Sequence, residues 1–96
     1  MFRPSIEKKL TSVSDELRKL REHLRVVDEQ LLQVSDEAED SRLRSLVSET
    51  PLAAAEHRDA AKAVGALRRD RASTVERLEK LEALQDELLD ELTKAK

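Results

Sequence analysis

The sequence predicts an all-α fold, a two-helix antiparallel coiled-coil hairpin, and three observations predict it. The first is composition. Of 96 residues, 41% are charged and 1% aromatic, too few large apolar side chains for a globular core. A low-hydrophobicity, highly charged chain is also the signature of disorder, but the net charge is only −3. Richness in Ala, Glu, Lys, Leu and Arg marks coiled coils and long helices. The second observation is apolar residues at alternating steps of four and three. The third is a proline, Pro51, close to the midpoint.

In the first half the apolar positions are Ile6, Leu10, Val13, Leu17, Leu20, Leu24, Val27, Leu31, Val34 and Ala38. Their unbroken 4,3 rhythm is a heptad seam, with Leu10, Leu17, Leu24 and Leu31 at a and Val13, Leu20, Val27 and Val34 at d. Ser5 follows Pro4 and precedes the first periodic residue, the place of an N-cap. The first helix is therefore expected over about 5–47.

Thr50-Pro51 reads as a helix start. A threonine hydroxyl can accept from the free N–H groups of the first turn, and proline suits the first helical position because its missing N–H is not needed there. Inside a continuous helix Pro51 would cost about 3 kcal/mol. A turn is expected over about 48–50 and a second helix over about 51–94. Its seam reads Val64, Leu67, Arg71, Thr74, Leu78, Leu81, Gln85, Leu88, Leu92 and Ala95. The guanidinium of Arg71 is expected to leave the seam toward Asp28 or another acid while its stem packs; the alternative for Arg71, and for Gln85 opposite Val13, is a register-setting polar residue or a partner contact. Gly65 is expected to weaken the second helix by about 1 kcal/mol relative to alanine. No repeat or second domain is visible, so residues 1–96 read as a single helical-hairpin domain.

The two seams test each other. In an antiparallel pair, facing positions have residue numbers with a constant sum. A sum of 98 pairs Ile6 with Leu92, Leu10 with Leu88, Leu17 with Leu81, Leu20 with Leu78, Leu31 with Leu67 and Val34 with Val64. It also pairs Ala38 with Ala60 and Leu46 with Leu52, through a turn centred on Glu49. The match favours a hairpin with arms of about 40 residues, about 60 Å at 1.5 Å per residue. Towards the turn the facing positions are alanines and serines. These bury little apolar area, so that end should be the less stable one.

A hairpin covers each seam from one side only. Leu32, Leu43, Val75, Leu84 and Leu89 fall off the seam and widen the apolar stripe, as expected of helices with more than one neighbour. Self-association into a four-helix assembly, or a stable protein partner, would cover them. Val75, Leu84, Leu89 and Leu43 are the expected anchors, with Arg68 and Arg69 steering.

Chemistry finds few footholds. There is no cysteine, hence no disulfide framework, thiolate site or sulfur nucleophile, which fits a reducing, cytoplasmic setting. One glycine excludes a glycine-rich phosphate loop. His23 and His57 fall on different arms at different levels, so they cannot share a metal, and His57 is placed near Ser41, within reach of Glu37 or Asp40. No catalytic, cofactor or metal residues are expected, and the chain reads as a non-enzyme. Residues 41–71 carry seven Lys and Arg against four Asp and Glu. This basic turn region makes nucleic-acid association, sensitive to salt, an alternative to protein docking; a purely structural spacer is a third. No run approaches the roughly 20 apolar residues of a membrane span.

The spacing Glu37…Ser41…Arg44 resembles the start of the cyclic-di-GMP signature of the RsiG-type anti-sigma factors of actinobacteria. The family continues with Gln and Asp where this chain has Ser48 and Leu52, so the resemblance implies a helical hairpin and a protein partner, in a transcription-related regulator, without a nucleotide site. The run Val47-Ser-Glu-Thr-Pro-Leu-Ala53 and the later Glu56-His-Arg-Asp-Ala60 are similar to small actinobacterial helical-hairpin proteins to which no function is assigned.

Overall fold

The computed structural model describes residues 2–95. Two helices, α1 over Arg3–Ser48 and α2 over Pro51–Lys94, account for nearly all of them, and they pack against each other as a hairpin. Both fall into two packing units: a terminal unit of residues 1–24 and 73–96, and a turn-side unit of residues 25–72.

Helix α1 starts earlier than expected, and Ser5 is not its cap. The Ile6 N–H donates to the Phe2 carbonyl at 3.1 Å, so Phe2 is the capping position and Ser5 lies within the first turn. Pro4 is tolerated there because a first-turn N–H has no intrahelical acceptor in any case. Arg3 and Glu7 form an i,i+4 pair at 3.2 Å beside it.

The connection is tighter than expected. Ser48 is still helical, so Glu49 and Thr50 alone connect the two helices. The Thr50 hydroxyl accepts from the Ala53 N–H at 3.1 Å, and the Thr50 carbonyl accepts from Ala54 at 3.0 Å. Thr50 is thus the N-cap and Pro51 the first helical residue. Glu49 closes α1 in the left-handed region, at φ 47°, its N–H donating to the Ser45 carbonyl at 3.2 Å. That conformation disfavours any residue with a Cβ, and glycine is its usual occupant at a helix end. Glu49→Gly is therefore expected to stabilise the protein by about 1 kcal/mol, read as a higher urea midpoint. A lower midpoint would show that the Glu49 side chain holds the turn by some other means.

In the terminal unit, Ile6, Val13, Leu17, Leu78, Leu81 and Leu88 form one buried cluster, and Leu10, Leu20, Leu24, Leu92 and Ala95 pack around it half-buried. Polar groups fix its register. The Gln85 amide donates to the Ser14 hydroxyl at 3.2 Å, one residue from the constant-sum pairing. Arg77 reaches Glu16 at 2.9 Å and Arg21 reaches Glu82 at 3.5 Å. Such half-exposed ion pairs are worth about 0–1 kcal/mol each, so they select the alignment and the leucines supply the stability.

In the turn-side unit the buried apolar residues are Val27, Ala53 and Val64. Leu31 and Leu67 are half-buried. The expected pair Leu46 and Leu52 does not close the seam, because both side chains are exposed. Arg71 leaves the seam as expected: its Nε donates to Asp28 at 2.7 Å.

Candidate functional site

The features that could carry function are exposed leucines and the grooves between the helices. In the terminal unit Leu84 and Leu89 are 40% and 47% exposed. They lie on the outer side of α2 because its seam is already filled by Leu81, Leu88 and Gln85. Leu84 lines a hollow of about 530 Å3 with Val13 and Leu88, rimmed by Lys8, Lys9 and Glu91. Val75 is half-buried and so belongs partly to the seam, unlike the other two anchors.

In the turn-side unit Leu32 is 73% exposed, and Leu43, Leu46, Val47 and Leu52 are exposed as well. Leu32 lines a hollow of about 530 Å3 with Asp28, Ser35, Asp36, Arg68 and Arg71. A smaller one of about 200 Å3 holds Glu39, Arg42, His57 and Val64. The two share Ser35 and Arg68, so they form one groove. Arg68 sits in it. Arg69 is exposed and lines neither hollow; its guanidinium instead lies beside Gly65.

His57 meets a different carboxylate from those expected. Glu39, not Glu37 or Asp40, lies in its hollow. Consecutive helical residues point about 100° apart, which carries Asp40 away from the groove that Glu39 lines. Arg42 donates to both carboxylate oxygens of Glu39, at 2.7 and 3.1 Å. These bonds hold the Glu39 carboxyl below its ordinary value of 4.5; desolvation opposes them, and the charges of Arg42 and then of His57 add smaller lowering effects. A carboxyl with a lowered folded-state pKa contributes stability that is present above the ordinary value and lost as pH falls through the lowered one. Carboxyl NMR titration is expected to show Glu39 midway at lower pH than in Arg42→Ala; equal midpoints would sink this assignment.

Among the described residues two buried polar atoms, the Ser41 hydroxyl and His57 Nδ1, have no hydrogen-bond partner. They are facing positions in the seam register. Ser41 is only 4% exposed while Glu37 and Arg44 are exposed, so these three residues are not presented together to a ligand. Among the described residues no group of three or more His, Asp or Glu could hold a metal ion, and no helix is long and apolar enough to cross a membrane.

The arginines of the turn region look different in the fold than along the chain. Between 58 and 71, α2 carries Arg58, Lys62, Arg68, Arg69 and Arg71, and the hairpin sets this segment beside residues 28–40 of α1, which hold six acids and no cation. The turn-side unit has eight Lys and Arg against ten Asp and Glu. Its charge is divided between its two helices instead of being concentrated in a basic tip.

No protein-family model, curated protein or solved structure matches the chain, so the reading of its surface rests on its own geometry.

Proposed function

We propose that the chain is a non-enzymatic interaction module that docks a helix of another protein against leucines its own hairpin leaves uncovered. The observation that carries this is the Leu84 hollow, where Leu84, Leu88 and Val13 make an apolar floor between Lys8 and Lys9 on one side and Glu91 on the other. An amphipathic helix laid along such a floor would be held by leucine-type anchors and oriented by the charged rim. Leu89 does not line this hollow; at 100° per residue it lies about 140° round α2 from Leu84 and offers a separate exposed contact. The more specific form of this reading, a regulator of transcription, rests on the Glu37–Arg44 resemblance alone.

The test compares the full chain with a Leu84→Ser, Leu89→Ser variant. Both residues are exposed enough that the variant should keep its helical circular dichroism. The wild type is expected to elute from native extract with a protein that the variant no longer holds. A partner retained equally by both, or none for either, would overturn the assignment of this surface.

A further inference from the structure

We propose that a second copy of this chain docks on the groove of the turn-side unit, about a two-fold axis parallel to the helices, to form a four-helix bundle with both turns at the same end. The proposal rests on the interaction-module reading only in taking the contact as helix on helix. It concerns a different face and a named occupant.

The turn-side unit is poorly filled by its own chain. It buries Val27, Ala53 and Val64 and leaves Leu32, Leu43, Leu46, Val47 and Leu52 exposed. Three of these fall on one side of α1. Leu43 and Leu46 follow Leu32 by 11 and 14 residues, close to three and four helical turns, and Leu32 lines the groove. An apolar stripe therefore runs along the acidic edge of that groove.

Charge says what can cover it. The α1 edge presents Asp28, Asp36 and Glu39, and the α2 edge Arg68 and Arg71; Arg42 matches Glu39, and Asp28 and Arg71 match each other, so Asp36 and Arg68 carry most of the contrast between the edges. The acidic and basic edges are at the same level of the unit. A foreign helix of either charge would match one edge and be repelled by the other. A second copy matches both, because a two-fold interface must be complementary to itself.

Symmetry then selects the arrangement. Two hairpins can meet face to face about an axis perpendicular to the helices, which lays α1 on α1 and α2 on α2. That sets acids on acids and arginines on arginines. An axis along the helices lays each α1 on the other copy's α2 at equal height. The Asp28–Arg71 pair, 2.7 Å apart within one chain, would then face its symmetry mate as a ring of alternating charge, with each Leu32 against the arginine stems of the other copy.

The absence of cysteine makes the test direct. Light scattering of the full chain should give twice 10.9 kDa. A spin label at Val47→Cys, near the turn, should report a single short inter-copy distance, whereas the perpendicular axis would separate the labels by about 40 Å along the bundle at 1.5 Å per residue. Leu32→Glu, at a site too exposed to threaten folding, should weaken self-association about tenfold or more. Asp28→Arg, Asp36→Arg and Arg68→Glu, Arg71→Glu should each do the same while remaining helical, and an equimolar mixture of those two variants should recover the two-chain mass. A one-chain mass for the wild type, a label distance near 40 Å, or no response to Leu32→Glu would each overturn the proposal. If Leu84→Ser, Leu89→Ser abolishes the two-chain mass instead, the terminal unit forms the contact. This proposal then fails, and the occupant of the Leu84 surface is a second copy instead of another protein's helix; a one-chain mass for the wild type overturns this proposal alone.

Discussion

Truncating Leu17 to alanine is expected to cost about 2–5 kcal/mol, the largest loss of any single change considered for this protein. Leu17 is 0% exposed, within the cluster that also holds Val13, Leu78 and Leu81. Removing its branched end discards buried methyl groups and leaves a cavity that the helices cannot close without breaking the Ser14–Gln85 and Glu16–Arg77 alignments on either side. The measurement is urea unfolding followed by circular dichroism, with Leu52→Ala as the control. Leu52 is exposed, so its truncation should stay within about 0.5 kcal/mol of wild type. Equal losses at the two positions would mean that the terminal cluster is not the core.

Ser41→Ala is expected to act in the opposite direction, stabilising by about 1–3 kcal/mol. A buried hydroxyl without a partner carries its desolvation penalty uncompensated, and alanine removes the group while keeping the small volume that lets the helices approach. Alanine is also the better helix former. The gain should appear as a higher thermal midpoint. A fall would show that the Ser41 hydroxyl is satisfied in solution, and the same comparison with His57→Leu would then locate its partner.

The hairpin was legible because two independent signals converge: heptad spacing, which needs only residue type, and the Thr50-Pro51 start. Their agreement through one constant sum is a property of the sequence that a long continuous helix would not require. The polar seam residues were legible for a similar reason, since Arg71 has a long stem and an acid, Asp28, within one residue of its register partner. The left-handed Glu49 was not, because its conformation follows from how α1 must end above Thr50 and no glycine advertises it. Nor could the spacing show that Leu46 and Leu52 stay open, since heptad spacing tells which positions face the other helix and not how fully each is covered at the end of a seam. The surroundings of the basic region were not legible for a plainer reason. Charge counted along the chain treats Arg58–Arg71 and Asp28–Asp40 as separate segments, whereas the register sets them side by side.

The uneven distribution of buried leucines between the two units also bears on how the chain finds its fold. Contacts near the turn close the shorter loops, such as the 43 residues between Asp28 and Arg71, but they bury little. Those that bury most lie across separations like the 61 residues from Glu16 to Arg77 and the 71 from Ser14 to Gln85. Loop-closure entropy is therefore spent before most of the stabilising burial is gained, the circumstance that slows folding across small domains. Individual helices of this kind form in about a microsecond. The protein itself should fold on the slower scale set by its two ends meeting, with mutations at Leu17 and Leu81 changing the folding rate more than mutations beside the turn.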